Sequence, residues 1–279
     1  MNNIKKIFKR ENTFFSDFFK RRKKYSIYLK KKYQLETVYE RKLRISYELC
    51  RIFKNQIKYG PYKGTKFSIN DNRKVKFTDY GSYLLGLYED TISEILIKKK
   101  KNKLTNFVQL GTSIGYHAIG LIKNRYFNSA VCFEKDKAVK NILEKNIKLN
   151  NCQKKIKVFS EAKENFYLKI NRPEKTMILI DIEGQEFKIL NFSSITAIKK
   201  CHVIIEIHQW IDNFTIEYQK LLKILLKYFR IKFITHPESP TEINKFKELS
   251  AFTDDNRYLI CSEHRPSKMR YLYCIPKHL

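Results

Sequence analysis

From residue 104 onward, short apolar runs alternate with helical stretches of ten or more residues, and this rhythm constrains the fold more than any other feature of the chain. Strands that alternate with helices predict crossover connections and a largely parallel sheet, so we predict an α/β domain. The last two runs can pair antiparallel at one edge of the sheet. The runs, in chain order, are NFVQL, SAVCFE, IKVFS, TMILID, HVIIEI, IKFITH, RYLICS and RYLYCI.

The segment before residue 104 has a different character. Its first 33 residues hold twelve basic and two acidic side chains, with aromatic residues at helical spacings. Such a helix can contact an anionic membrane surface or RNA, but we favour packing of its aromatic stripe on its own domain. After a break at Gly60 and Pro61, the pattern predicts two short strands around Asn70 and then a helix over residues 80–103. Residues 1–103 are therefore predicted to form a basic helical extension with a small hairpin, packed on a domain of residues 104–279.

The composition argues against several classes of protein. No window reaches the roughly 18 apolar residues of a membrane span, and the first residues lack a secretory signal, so we expect a cytoplasmic protein. The six cysteines are far apart without a CxxC pair, which argues against a zinc site and a disulfide framework. The net charge of +29 suits a nucleic-acid partner. We favour another explanation of this charge, in which AT-rich coding has enriched the chain in lysines that are spread over its solvated faces.

The stretch FVQLGTSIGYHAIG has the form of a first strand that leads into a glycine turn and a helix. In a parallel α/β sheet, ligands bind at this place, outside the carboxyl ends of the strands. Gly111 would allow the tight turn and a close approach by the ligand, and Gly115 would open the helix. Glu134 ends the second run, at the place where an acidic side chain usually binds a ribose diol.

The turn lacks the two common phosphate-binding motifs. GTSIG has its glycines four positions apart, so it does not match the dinucleotide fingerprint GxGxxG, and the GK[ST] ending of a P-loop is absent. The remaining common ligand of this architecture is S-adenosylmethionine, which carries no phosphate.

DIEGQE and HVIIEIH place further polar side chains at the ends of the fourth and fifth runs. Asp181 and Glu183 follow the fourth strand, while alternation along the fifth strand puts Glu206 and His208 on one side. Because methyl transfer gains from an aligned acceptor and a nearby base, these four residues are the candidate catalytic residues. A purely structural role for His208, with Glu206 as its partner, is an alternative. A metal site formed by Asp181, Glu183 and His208 is a further alternative, which we do not favour. Arg265 is a candidate for binding an anionic acceptor, or for capping a helix.

Four segments together resemble the class I S-adenosylmethionine-dependent methyltransferases, and look most like the FkbM-type group: VQLGTSIGYHAIGLI, VCFEKD, LIDIEGQEFKIL and VIIEIHQW. The segments YGPYKGTKF, LLGLYED and SEHRPSKMRYLYCIP resemble the flanks of that group, so the resemblance covers about residues 59 to 276. It implies a seven-stranded Rossmann-like fold with a mostly parallel sheet.

The resemblance also implies which residues hold the cofactor. Gly111, Thr112 and Gly115 would line its methionine portion, Tyr116 and His117 would lie beside it at the helix start, Glu134 would bind its ribose, and Ser160, Glu161 and Ala162 would lie at its adenine. Asp181 is assigned to the cofactor as well as to the reaction. Many such enzymes have an acidic residue where this chain has Gln109, which forms hydrogen bonds but offers no carboxylate to the cationic cofactor.

The expected activity is O-methylation of a sugar, glycan or other small-molecule hydroxyl. The DIEG carboxylates support it, as does the absence of the Asn/Asp-Pro-Pro-aromatic motif of amino-directed nucleic-acid methyltransferases. Two alternatives stay open: an RNA ribose methyltransferase, favoured by the net charge alone, and a non-catalytic Rossmann-like module that binds a partner or an anionic surface through the N-terminal helix. The sequence predicts neither the acceptor itself nor the oligomeric state.

Overall fold

The computed structural model describes residues 24, 36–68, 79–98, 103–235, 244–263 and 269–277. The chain divides into two compact units, Met1–Arg44 and Ile45–Leu279. In the first unit, Arg44 Nε lies 2.6 Å from Glu36 Oε1. The predicted helix of the first 33 residues, apart from Lys24, and the predicted hairpin around Asn70 lie outside the described residues, as does Arg265. The division at residue 103 stays a prediction.

The described residues form three helices before the first strand, and from that strand onward strands alternate with helices. The helices are α1 (Val38–Ile52), α2 (Tyr80–Leu85), α3 (Asp90–Lys98), α4 (Tyr116–Lys123), α5 (Lys137–Leu149), α6 (Glu186–Ile189), α7 (Phe192–Ala197), α8 (Phe214–Tyr228) and α9 (Asp254–Cys261). The strands are β1 (Asn106–Leu110), β2 (Ser129–Phe133), β3 (Ile156–Phe159), β4 (Thr176–Ile180), β5 (His202–Ile207), β6 (Phe229–Thr235) and β7 (Arg270–Pro276).

The strands form one seven-stranded sheet in the order β3-β2-β1-β4-β5-β7-β6. Strands β1 to β5 are parallel to one another, and β7 lies antiparallel between β5 and β6. The expected Rossmann-like, mostly parallel sheet of seven strands is therefore confirmed. The order of the strands reverses at β1, because β2 and β3 lie on one side of it and β4 and β5 on the other. The carboxyl ends of β1, β2 and β4 therefore lie together at one edge of the sheet, where a ligand can bind.

Burial explains why the central strands read as continuous apolar runs. Every residue of β4 and of β5 is buried, because helices cover both faces of a parallel sheet. On one face, Ile178 and Ile180 pack with Val203 and Ile205 of the next strand and with Leu221 of α8. Full burial of each such side chain stabilises the fold by about 1.5 to 3 kcal/mol.

The structure corrects the strand predicted at RYLICS. These residues lie in helix α9 and the residue after it, and α9 packs its Ile260 against Gly81 of α2, where an added Cβ would lie 2.2 Å from Ile260 Cδ1. Asp254 and Asp255 in the first turn suit the positive end of the helix dipole. Short apolar runs do not distinguish a strand from a buried helix by periodicity alone. The antiparallel pair at the edge is consequently β6 with β7.

The helix predicted over residues 80–103 is also interrupted. It divides into α2 and α3 at Gly86, which caps α2 with a left-handed φ of 71°. A Cβ on Gly86 would lie 2.3 Å from the carbonyl oxygen of Tyr59, so the close approach of these two backbones requires glycine. None of the helices in the described part of the chain has the length and apolar character needed to cross a membrane.

Candidate active site

The bend after β1 is formed by glycines that pack tightly against the rest of the protein. Gly111 has φ of 78°, and an added Cβ would lie 1.6 Å from the carbonyl oxygen of Asp181. Gly115 begins α4 with φ of 93°, and its Cβ would lie 2.6 Å from Ile119 and 2.7 Å from Leu143. The approach that Gly111 permits is therefore that of the β4 backbone, which brings the ends of the two strands together.

Glu134, which follows β2, turns its carboxylate towards this bend. Its Oε2 accepts a hydrogen bond of 2.9 Å from the backbone N–H of Ser113, and its Oε1 accepts one of 2.9 Å from the N–H of Asp136. Asp136 in turn caps α5 by accepting from Ala138 and Val139. The capped helix and the bend thus fix the orientation of the carboxylate.

A cavity of about 550 Å³ opens at the carboxyl ends of β1 to β4, and we call it the strand-end cavity. Its volume is in the range typical of small-molecule sites. Six of the residues predicted from the sequence line it: Gly111, Glu134, Glu161, Ala162, Asp181 and Glu183. Sequence reasoning missed further lining residues, among them Ser113, Phe133, Lys163, Asn165, Gln185 and Lys188. Ser113, Phe133, Gln185 and Lys188 lie within the segments that carry the resemblance, beside residues that were predicted. Lys163 and Asn165 lie outside those segments and had no signal in the sequence.

The charge of the strand-end cavity differs from that of the whole chain. The chain carries a net charge of +29, whereas the cavity is lined by five carboxylates and three lysines. Apolar surface comes from Phe133, Ala162, Ile182 and Ile189. A cavity with excess negative charge and an apolar portion suits a cationic ligand with a flat apolar group better than a polyphosphate.

Several predicted site residues are buried away from the cavity wall. Thr112 is 1% exposed, and its hydroxyl donates within the bend, 3.2 Å from the carbonyl oxygens of Gln109 and Phe133. Tyr116 stacks on Tyr83 with ring centroids 4.9 Å apart. Ser160 is exposed and does not line the cavity either. The remaining predicted residues that do not line it are Gly115, His117, Glu206 and His208.

His117, predicted to lie beside the cofactor, belongs to a buried polar network instead. Its Nε2 lies 2.7 Å from Glu89 Oε2 and its Nδ1 lies 3.1 Å from the Tyr62 hydroxyl. Tyr271 of β7 donates to Glu89 over 3.3 Å. Helix α4 is thereby tied to the segment before β1 and to the far strands of the sheet.

His208 lies directly after β5 and connects two carboxylates. Its backbone N–H and its Nδ1 lie 2.9 and 3.1 Å from Oε1 of the fully buried Glu186, and its Nε2 lies 3.4 Å from Asp181 Oδ1. Burial alone would lower the pKa of His208, but the hydrogen bonds and negative charges of Asp181 and Glu186 outweigh it and raise the pKa to about 10. The imidazole therefore holds a proton at neutral pH, which argues against the expected role of His208 as a base.

Asp181 remains the best placed of the candidate proton acceptors. Its side chain is 31% exposed and lines the strand-end cavity, whereas Glu183 is 67% exposed on a turn with φ of 54°. Glu206 is only 2% exposed. Asp181, Glu206 and His208 each offer a ligand atom within 4.8 Å of the other two.

Gln109, where the resemblance leads one to expect a carboxylate, is a buried residue of β1. It is 5% exposed and its Nε2 donates a long hydrogen bond of 3.4 Å to the carbonyl oxygen of Gly111. Its Oε1 has no hydrogen-bond partner among the described residues. The side chain supports the bend and does not line the strand-end cavity. The position at which the chain departs from the resemblance is therefore one that contacts the bend and not the cavity.

Trp210 is a functional candidate that sequence reasoning missed. It is the one tryptophan of the chain, it is 55% exposed, and its ring lies 4.8 Å from the His208 imidazole. A large aromatic ring left in solvent beside buried charged groups offers an apolar surface to a bound molecule. The signal in the sequence was its position two residues after His208.

No protein-family model matches the chain, and no curated protein matches it. Among solved structures, the chain is similar to an O-methyltransferase from Bacillus cereus in complex with SAH, with 11% identity over 90% of this chain and 96% of that chain and a TM-score of 0.47. It is also similar to TomG from Streptomyces achromogenes, an O-methyltransferase involved in tomaymycin synthesis and crystallised with SAM, with 8% identity over 84% and 89% of the two chains and a TM-score of 0.45. The tRNA methyltransferase TrmK of B. subtilis is similar with 10% identity over 66% and 62% and a TM-score of 0.42. These likenesses are weak, and none of them assigns a function to the chain.

Proposed function

We propose that the chain is an S-adenosylmethionine-dependent methyltransferase of the FkbM type that methylates a hydroxyl group of a sugar, a glycan or another small molecule. The observation that carries the proposal is the carboxylate of Glu134, held by the N–H of Ser113 at the mouth of a cavity of about 550 Å³. A carboxylate that ends the second strand beside the first turn is the usual partner of a nucleoside ribose.

The residues of the strand-end cavity suit the ribose, the adenine and the sulfonium of this cofactor. Each oxygen of Glu134 accepts one backbone N–H and keeps a further lone pair, so the carboxylate can also accept the two hydroxyls of a ribose. Phe133 and Ala162 give apolar surface for an adenine, and the exposed Glu161 can accept from its amino group. The excess of carboxylates over lysines favours the positive charge of a sulfonium.

Bound S-adenosylmethionine supplies an electrophilic methyl group on a sulfonium sulfur. Asp181, at the cavity wall, would accept the proton of the acceptor hydroxyl, for which a positioned base contributes typically about a hundredfold to ten-thousandfold. The protonated His208, itself held by Glu186, would keep the Asp181 carboxylate in place. The exposed ring of Trp210 offers a surface for the body of the acceptor, which suits a ring-shaped molecule such as a sugar.

Calorimetry with S-adenosylmethionine and its product S-adenosylhomocysteine tests the cofactor assignment. We expect binding by the wild type and at least about tenfold weaker binding by Glu134→Ala, because hydrogen bonds to a charged group contribute about 1.5 to 3 kcal/mol. Glu144→Ala, an exposed glutamate of α5, is the matched control and should bind like the wild type. Equal affinity of Glu134→Ala and wild type would remove the basis of the proposal, as would absence of binding at millimolar cofactor.

The acceptor class is tested separately, by transfer of a labelled methyl group into fractionated cell extract. We expect label in a sugar-containing or other small-molecule fraction. RNA ribose methylation is the second candidate, favoured by the net charge of +29. Label that is released by ribonuclease would support RNA ribose methylation. Cofactor binding without any methyl transfer would support the alternative of a non-catalytic binding module.

A further inference from the structure

We propose that Asp181, Glu206 and His208 bind a first-row divalent metal ion such as Mn²⁺ at the base of the strand-end cavity. The three residues come from the carboxyl ends of two neighbouring parallel strands, β4 and β5, which pair with Ile180 opposite Ile205. Glu206 and His208 are two positions apart and therefore project on the same side of the sheet. Their ligand atoms and that of Asp181 lie within 4.8 Å of one another.

These separations suit one shared ion. Carboxylate oxygens and imidazole nitrogens lie about 2.1 Å from a bound first-row metal, which places neighbouring ligand atoms about 3 Å apart and opposite ones about 4.2 Å apart. The His208 Nε2 and Asp181 Oδ1 atoms are 3.4 Å apart. Small side-chain adjustments would bring the set to coordination distance.

The environment of His208 is an independent indication of a metal ligand. Histidines that bind metals almost always present their other ring nitrogen to a carboxylate or carbonyl, which fixes the ring orientation. Glu186, which is 0% exposed, takes this position at Nδ1, and it is itself held by the N–H of Gly184 over 2.9 Å. Nε2 is thereby directed at Asp181.

The site is open on one side. Asp181 lines the strand-end cavity and is 31% exposed, so an ion can enter there and keep coordination positions for other oxygens. Glu183, whose Oε2 lies 3.8 Å from His208 Nε2, can supply a further ligand. Two carboxylates and one imidazole favour manganese, iron or zinc over calcium, which takes oxygen ligands only.

An ion at this place would bind the acceptor hydroxyl and lower its pKa, so that less depends on a protein base. This use of the ion rests on the proposed function, whereas its binding does not. An acceptor with two adjacent hydroxyls, as in a sugar, can occupy two of the open positions at once.

The experiment uses the full chain, freed of metal with a chelator and titrated with MnCl₂ alone. Electron paramagnetic resonance of free Mn²⁺ counts the bound ions, and the fluorescence of Trp210, the one tryptophan of the chain, reports binding beside His208. We expect one bound ion, quenching of Trp210, and at least tenfold weaker binding in Asp181→Asn and His208→Gln. Glu144→Gln, at an exposed position of α5, should bind like the wild type.

The Asp181→Asn variant keeps the proposal falsifiable even if the buried His208→Gln fails to fold, because Asp181 is partly exposed. Absence of saturable binding up to millimolar Mn²⁺, or equal affinity of Asp181→Asn and wild type, overturns the metal site. Calorimetry with S-adenosylmethionine on the same chelator-treated protein separates the two proposals. Cofactor binding without Mn²⁺ binding rejects the metal site alone, and Mn²⁺ binding without cofactor binding rejects the proposed function alone.

Discussion

Gly111→Ala tests whether the bend after β1 depends on backbone contact with β4. The added Cβ would lie 1.6 Å from the Asp181 carbonyl oxygen, whereas real Cβ contacts essentially never fall below 3.0 Å, so the two backbones must separate by about 1.4 Å. The hydrogen bond of 2.9 Å from the Asp181 N–H to the Leu110 carbonyl oxygen lies at the same place and would be lengthened or broken.

The expected cost adds three contributions. A left-handed φ costs a residue with a Cβ about 1 to 2 kcal/mol, overpacking costs about 1 to 3 kcal/mol, and an unsatisfied buried backbone group costs about 1 to 3 kcal/mol. We therefore expect Gly111→Ala to lower the free energy of unfolding by about 3 to 8 kcal/mol, measured by urea denaturation. It should also weaken cofactor binding, because Asp181 moves.

Gly64→Ala is the matched control for backbone strain. Gly64 has φ of 89°, but its added Cβ would meet only the Gln56 side chain at 3.6 Å and that of Lys123 at 4.0 Å. Only the strain of about 1 to 2 kcal/mol should remain. If the two variants unfold with the same free energy within about 0.5 kcal/mol, the backbone contact is not the reason for glycine at position 111, and the reasoning fails.

Three further predictions concern buried groups. Glu89→Gln replaces the carboxylate whose Oε2 lies 2.7 Å from His117 Nε2, and we expect it to lower the free energy of unfolding by about 1 to 3 kcal/mol in urea denaturation. Glu94→Gln, whose pair with Lys98 is exposed, should lower it by less than about 0.5 kcal/mol. Similar values for the two variants would contradict the importance of the buried network. The six free cysteines are buried, and burial raises the pKa of Cys132 and Cys201 to about 12. Ellman's reagent at pH 8 should therefore react with none of the described thiols in the folded protein and with all six after unfolding. Unfolded thiols lose their protons from about pH 9, whereas these two keep theirs in the folded protein. Each should therefore lower the free energy of unfolding by about 1 kcal/mol between pH 9 and 10, and a flat alkaline unfolding curve would contradict the assigned burial.

The sequence predicted those parts of the fold and site that depend on local pattern. The runs of β1 to β5 were readable because strands buried in a parallel sheet are mostly apolar, as in β4, all of whose residues are buried. The position of Glu134 was readable for a related reason, since a polar residue that ends a buried strand must lie at the edge of the sheet. Asp181 was found by the same rule, and both residues line the strand-end cavity.

Other features depended on contacts between residues that are distant in the sequence. RYLICS is a helix because α9 packs its Ile260 on Gly81, a contact that no local pattern reveals. The raised pKa of His208 depends on Glu186, which read as an ordinary polar residue of the DIEGQE segment until the fold buried it completely. Local sequence thus determined which residues form strands and where polar side chains leave them. Tertiary packing alone decided which charges meet, because electrostatic interactions depend on separation in space and on burial, and neither quantity is encoded in the spacing of residues along the chain.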